Sequence, residues 1–235
     1  IGMHPKMQIL ASLRLASIQS NTFGHPVTSG LKNIDYFFSS FFLEKNDSQK
    51  FYSEKLIILP GIGTDYDPLD LFNIKKSINS KKKNKVIFLS YHSLFKMLPQ
   101  DDHIFLDILK KVPNCQFWFF KAKNEIITSI FKERILKLSK KYGISIKKYF
   151  YFLPRCKYNE FLGFIKESDI ILDSLSFSGF NTAIEAVSLN KPIVTLPGFL
   201  MKKKLAYSVL KQINLKDTIA NSDIFRENCS LSLAN

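Results

Sequence analysis

Between residues 86 and 196, short apolar runs alternate with helical patterns, and this alternation constrains the fold more than any other feature. The runs are residues 86–89, 116–120, 144–152, 170–172 and 192–196. Helical periodicity occupies residues 101–112, 124–141, 157–168, 181–189 and 200–212. Strands alternating with helices of this length predict an α/β fold built on a parallel sheet covered on both faces. The unbroken apolar character of Ile170-Ile171-Leu172 and Ile193-Val194-Thr195-Leu196 suits strands buried on both sides. Upstream, residues 5–14 suit a helix opened by Pro5, and residues 18–23, 34–38 and 56–59 are runs of strand length. Periodicity fades from Gly61 to Asn84, around Lys81-Lys82-Lys83. The expected organisation is an incomplete α/β unit over 1–70, a linker over 71–84, a second α/β unit over 85–222 and a polar tail over 223–235.

Composition removes several classes. No apolar run approaches the roughly 20 residues of a membrane span, and the first fifteen residues do not read as a signal peptide. A cytoplasmic protein with no membrane span is expected. The cysteines, Cys115, Cys156 and Cys229, are too far apart for a disulfide scaffold or a zinc site, and no two histidines have ligand spacing. No metal is expected. The net charge is +14, from 34 basic and 20 acidic residues, which favours an anionic partner. The surplus is mostly lysine, without a recognition helix or interleaved aromatics, so no specific nucleic acid is expected. The chain opens on Ile1-Gly2 rather than methionine, and further residues are expected upstream.

In a doubly wound sheet, ligands bind at the carboxyl ends of the strands. Lys96 follows the run 86–89 and could meet a phosphate as a point charge, or be one more surface lysine. The turn at Arg155 and Cys156 follows the run 144–152; its backbone could hold a heterocycle edge, or start the next helix. The segment Ser178-Gly179-Phe180-Asn181-Thr182 leads from a buried strand into a helix. There Gly179 permits close approach, and N–H groups near Asn181 and Thr182 form an anion site. Glu185, one turn on, could accept ribose hydroxyls. The alternative is that Asn181 or Thr182 only caps the helix. His25, between Gly24 and Pro26, could donate to a phosphate or an acceptor, or be a plain loop histidine.

An ordered series of motifs gives these positions a family context. Leu15-Ala16-Ser17-Ile18-Gln19, Gly24-His25-Pro26-Val27-Thr28-Ser29-Gly30 and Leu94-Phe95-Lys96 come first. Ser178-Gly179-Phe180-Asn181-Thr182 with Glu185, and Lys191-Pro192-Ile193-Val194-Thr195-Leu196-Pro197-Gly198, follow. Together they resemble the inverting protein glycosyltransferases that include O-GlcNAc transferase. The resemblance is closer to the bacterial branch, cytoplasmic enzymes that attach hexose to asparagines of high-molecular-weight adhesins. It implies a GT-B fold, with a nearly complete C-terminal Rossmann-like domain here and only part of the N-terminal one. It also implies a UDP-sugar donor, UDP-glucose, UDP-galactose or UDP-GlcNAc, without a metal or other cofactor. The acceptor would be Asn or Ser/Thr of a protein such as an adhesin, and a separately encoded N-terminal portion is a further expected partner. By resemblance, Lys96 neutralises the leaving diphosphate, and Arg155 and Cys156 hold uracil through their backbone. Ser178, Gly179, Asn181 and Thr182 receive the phosphates, Glu185 binds ribose, and His25 lies near sugar and acceptor. The O-GlcNAc branch carries a histidine where Phe180 stands and a lysine near Tyr158. An inactive nucleotide-binding remnant and a basic nucleic-acid-binding protein are the competing classes.

Overall fold

Among the described residues of the computed structural model every strand pairing is parallel, and the strands form two sheets. The structure describes residue 2, residues 4–67, 69, 74 and 85–221. The first part opens with α1 (Pro5–Ser12), with proline in its first turn, where a missing N–H costs nothing. Three strands follow, β1 (Ser20–Thr22), β2 (Tyr36–Ser40) and β3 (Lys55–Leu59), in the order β1-β2-β3. The run expected at 34–38 starts later because Asp35 is held outside the strand. Its carboxylate takes Arg14 and the Gln19 N–H, while Ile34 turns into the core. The strand then extends through buried Ser39 and Ser40, residues whose polarity hid them from the apolar pattern.

The second sheet comprises β4 (Val86–Ser90), β5 (Cys115–Phe120), β6 (Phe150–Leu153), β7 (Ile170–Leu172) and β8 (Ile193–Val194). Its order is β6-β5-β4-β7-β8. The intervening helices are α2 (His103–Lys111), α3 (Glu125–Lys141), α4 (Tyr158–Glu167) and α5 (Asn181–Ser188), with α6 (Leu205–Gln212) after β8. The period-2 alternation of a strand distributes β4 between two cores. Phe88 packs with Ile104, Ile108, Phe117, Phe131 and Phe150 on one face. Ile87 and Leu89 pack with Leu162, Ile165, Ile171, Ala183 and Leu210 on the other. Both faces are covered, as a parallel sheet requires.

Three expected elements are corrected. The run 144–152 is a strand only over Phe150–Leu153, preceded by a 3-10 turn at Ile146–Lys148. Gly143 reverses the chain after α3 at φ 65°, and Ile144 bonds back to Ser139, so the strand starts only at Phe150 and runs one residue past the expected end to Leu153, in register with Phe117–Phe120. The helix at 200–212 divides into a 3-10 turn, Met201–Lys203, and α6. The strand at 192–196 shortens to two residues, with Thr195 diverted to a bridge with Ile219. The proposed linker over 71–84 lies outside the described residues apart from Ile74, as does the tail over 223–235.

Candidate functional site

In the order β6-β5-β4-β7-β8 the chain leaves β4 and β7 in opposite directions, which opens a crevice at their carboxyl ends. The turn after β4 and the loop after β7 face the loops that follow β1 and β3 of the first sheet. Between them lies a cavity of about 510 Å³. It brings together Lys96, Ser178, Gly179, Asn181 and Thr182 with Thr22, Phe23, Gly24 and Pro26. A second cavity of about 770 Å³ holds Arg155 and Cys156, with Phe120, Lys121, Tyr158 and Phe161. Tyr91, His92 and Ser93 line both, so the two share a wall.

Backbone geometry at the start of α5 suits close approach. Phe180 is the N-cap, its carbonyl accepts from the N–H groups of Ala183 and Ile184, and no side chain caps the helix. The capping role weighed for Asn181 and Thr182 is therefore not the one adopted. Phe180 is pinned edge-on to Phe23, in the turn just after β1, with ring centres 5.3 Å apart. A Cβ on Gly179 would fall 2.4 Å from Thr182 Oγ1 and 3.0 Å from Tyr91 Cε2, so only glycine fits. Across the cavity, Lys96 ends a 3-10 turn (Leu94–Lys96), and its ammonium lies 3.9 Å from the Phe177 ring centre. Burial lowers the Lys96 pKa, and the nearby Asp173 carboxylate opposes that shift.

Beneath this surface lies a buried polar cluster that the sequence reading did not assemble. Asp173 Oδ2 accepts from the hydroxyls of Ser178 (2.6 Å) and Thr195 (2.7 Å). Its Oδ1 accepts from the Gly179 N–H at 3.1 Å and lies 3.1 Å from His92 Nε2. Burial alone would raise the Asp173 pKa, but His92 and the two hydroxyls outweigh it and hold the carboxyl below its ordinary value. Ser178 Oγ in turn accepts from the Ala206 N–H, which ties the loop to α6. His92, in the turn after β4, is 5% exposed. The available signal was Asp173 itself, a charge placed directly after the fully apolar run 170–172.

Glu185 is placed one turn after Asn181, as expected, but it is 7% exposed. Its Oε1 accepts from the Tyr158 hydroxyl at 2.9 Å, while Oε2 is buried without a hydrogen-bond partner. Burial raises the Glu185 pKa, with the Tyr158 bond opposing. The Tyr158 phenol is pushed up to about 12 by burial and by that carboxylate. His25 does not itself line the main cavity. Its neighbours Gly24 and Pro26 line the main cavity, whereas His25 lines a smaller hollow of about 130 Å³ with Gly2, Gln8 and Asn21. Burial lowers its pKa, and the charge of Lys96 adds to the effect.

Among the described residues, no group of three or more His, Cys, Asp or Glu could hold a metal ion. No helix among them is long and apolar enough to cross a membrane. The site's positive charge comes from lysine and arginine side chains and from the start of α5.

Comparison with known proteins gives this geometry a family. The chain is 26% identical over 222 residues to the probable UDP-N-acetylglucosamine–peptide N-acetylglucosaminyltransferase SPINDLY of Arabidopsis thaliana, covering 94% of this chain and 24% of that protein. It is 29% identical over 234 residues to the probable UDP-N-acetylglucosamine–peptide N-acetylglucosaminyltransferase SEC of the same plant, at 95% and 23% coverage. The chain thus spans about a quarter of the length of these relatives. A solved structure of a mutant Thermobaculum terrenum O-GlcNAc transferase superposes with a TM-score of 0.81 at 20% identity, over 94% of this chain and 41% of that one. Sucrose-phosphate synthase from Thermosynechococcus elongatus follows the same path with a TM-score of 0.58 at 13% identity, over 86% and 51%. The fold is GT-B, with paired Rossmann-like sheets facing a common cleft. The family model for glycosyl transferase family 41 matches residues 75–234, more than half of the chain, and the protein belongs to that family.

Proposed function

We propose that residues 85–221 form the donor-binding part of a UDP-sugar-dependent inverting protein glycosyltransferase, and that the chain serves as the carboxy-terminal portion of such an enzyme. The observation that carries this reading is the convergence of Lys96, the start of α5 and the Arg155–Cys156 turn on two cavities with a common wall. The diphosphate lies between Lys96 and the N–H groups of Asn181 and Thr182, where the helix dipole favours negative charge. Ser178 and Gly179 let the backbone come close, and uracil lies against the backbone of Arg155 and Cys156. Glu185 takes a ribose hydroxyl once Tyr158 yields. His25 belongs to the acceptor wall.

Inversion requires the acceptor atom to attack the anomeric carbon from the face opposite the nucleotide. The new glycosidic bond forms as the bond to the diphosphate oxygen breaks, the electron pair leaves with UDP, and the acceptor's N–H or O–H proton passes to the departing diphosphate or to water. Fixed positive charge at that oxygen, from Lys96 and the α5 start, stabilises the transition state more than the ground state. The donor is UDP-glucose, UDP-galactose or UDP-GlcNAc, and the acceptor an Asn or Ser/Thr side chain of a protein such as an adhesin, in the cytoplasm. A second reading is a UDP-binding protein that does not transfer.

Mass spectrometry of Asn-x-Ser/Thr and Ser/Thr peptides incubated with each UDP-sugar tests the proposal. The chain spans about a quarter of the relatives' length, and acceptor alignment is worth up to roughly 7–11 kcal/mol, so under this proposal the 235-residue chain alone is expected to transfer nothing measurable. The protein extended by its upstream coding sequence is expected to transfer. Equal rates from both would overturn the assignment as a carboxy-terminal portion. UDP binding with no transfer from either would favour the second reading.

A further inference from the structure

Two contacts tie the loop after β7 to the segment after β4, and a third holds the loop itself. The Ser174 hydroxyl donates to the Lys96 carbonyl at 3.4 Å, and the Phe177 N–H donates to Ser174 Oγ at 3.4 Å. The Ser176 hydroxyl donates to Asp101 Oδ2 at 2.7 Å. These bonds bring the two side chains together in the 510 Å³ cavity, where the Lys96 ammonium lies 3.9 Å from the centre of the Phe177 ring. A free lysine loses much rotamer freedom when it is fixed on a ligand. An ammonium over an aromatic face is already held, yet it keeps its charge, and the N–H groups turned from the ring remain able to bond an anion.

We propose that Phe177 is a positioning residue: its ring holds the Lys96 ammonium at the cleft wall, so that a diphosphate meets a lysine already in place. This rests on the donor-site reading above, in which Lys96 contacts the diphosphate. Phe177 itself touches the lysine and is assigned no contact with the reacting atoms. The role needs an aromatic face and not simply apolar bulk, which separates it from packing.

The test is calorimetric titration with two probes, UDP and uridine, on variants whose folding is checked by circular dichroism. Uridine lacks the diphosphate, so only UDP reports the lysine. Phe177→Leu keeps bulk without the π face and is expected to weaken UDP about three- to tenfold while leaving uridine unchanged. Phe177→Tyr keeps the face and is expected to bind UDP within about twofold of the parent. Phe177→Met serves the same comparison if the leucine variant does not fold. In a Lys96→Met background, the Phe177→Leu change is expected to add nothing, because the partner is gone. The proposal is overturned if Phe177→Leu binds UDP as well as or better than the parent. It is also overturned if UDP and uridine weaken together, or if the loss persists without Lys96. If instead Lys96→Met leaves UDP affinity unchanged, or UDP does not bind, the donor-site reading itself fails and this inference falls with it.

Discussion

Replacing Asp173 with asparagine removes one charge and changes little else, and the structure sets what that should cost. Oδ1 faces the Gly179 N–H and His92 Nε2, each at 3.1 Å, while Oδ2 faces the hydroxyls of Ser178 and Thr195. The asparagine carbonyl must take the Oδ1 place, because the Gly179 N–H cannot accept. Its amide N–H₂ then meets two hydroxyls that can rotate to accept, so the cluster survives without its charge. Hydrogen bonds to charged groups contribute about 1.5–3 kcal/mol against about 0.5–1.5 kcal/mol for neutral ones, so weakening the three bonds from Gly179, Ser178 and Thr195 predicts a loss of about 3–4.5 kcal/mol. Alanine, which leaves His92 and three donors buried without an acceptor, should cost at least about 3–5 kcal/mol. Against a total stability of about 5–15 kcal/mol, the alanine variant would be marginal. Urea unfolding followed by the fluorescence of Trp118, the single tryptophan and a buried residue of β5, reads these changes directly. Because the native carboxyl titrates below its ordinary value, its contribution is present above about pH 3.9 and disappears as pH falls through the native pKa. The gap between parent and asparagine variant should therefore close in acid. A loss below about 0.5 kcal/mol at pH 7, the scale of an ordinary surface substitution, would refute the reasoning.

Other perturbations follow from the same structure. Glu185→Gln should raise the urea midpoint at pH 7, since burial holds the native carboxyl above its ordinary value. That gain should vanish below about pH 4.3, where the native and unfolded carboxyls are both protonated; a constant gain at all pH would assign it to packing. Arg134 donates to both oxygens of buried Asp102 and to the Met97 carbonyl, so Arg134→Ala should cost about 3–5 kcal/mol. Lysine should restore only part of that loss, because it lacks the planar fork; full rescue in urea melts would contradict the bidentate geometry. Binding to double-stranded DNA should be sequence-independent and fall linearly in log–log salt plots; sequence-dependent binding that persists at high salt would contradict it.

The parallel core was legible because its strands are buried on both faces and so read as continuous apolar runs, as at Ile170-Ile171-Leu172. Elements broke from the pattern where a hydrogen bond or a turn overrode apolarity. Ile144 and Ile146 look like strand residues but pack against the core from a turn, while Ser39 and Ser40 look like loop and lie in the ladder. At the site, Lys96, Ser178, Gly179, Asn181 and Thr182 were readable as strand-end or glycine–helix positions, and the fold brings them to one cavity. His92 and Phe177 were not readable. Their environment depends on Asp173 and Lys96, which lie about eighty residues away in sequence and meet them only when β4 and β7 pair. The Tyr158–Glu185 bond likewise spans α4 and α5 and leaves no local trace.

A structure determined with UDP bound tests the donor site most directly. The diphosphate should lie within hydrogen-bond reach of Lys96 Nζ and the backbone N–H groups of Asn181 and Thr182. Uracil should rest against the backbone of Arg155 and Cys156, and the Tyr158 hydroxyl should have left Glu185. UDP ordered elsewhere on the chain, or an empty cleft at saturating UDP, would contradict the assignment of residues 85–221 as the donor-binding part of the enzyme.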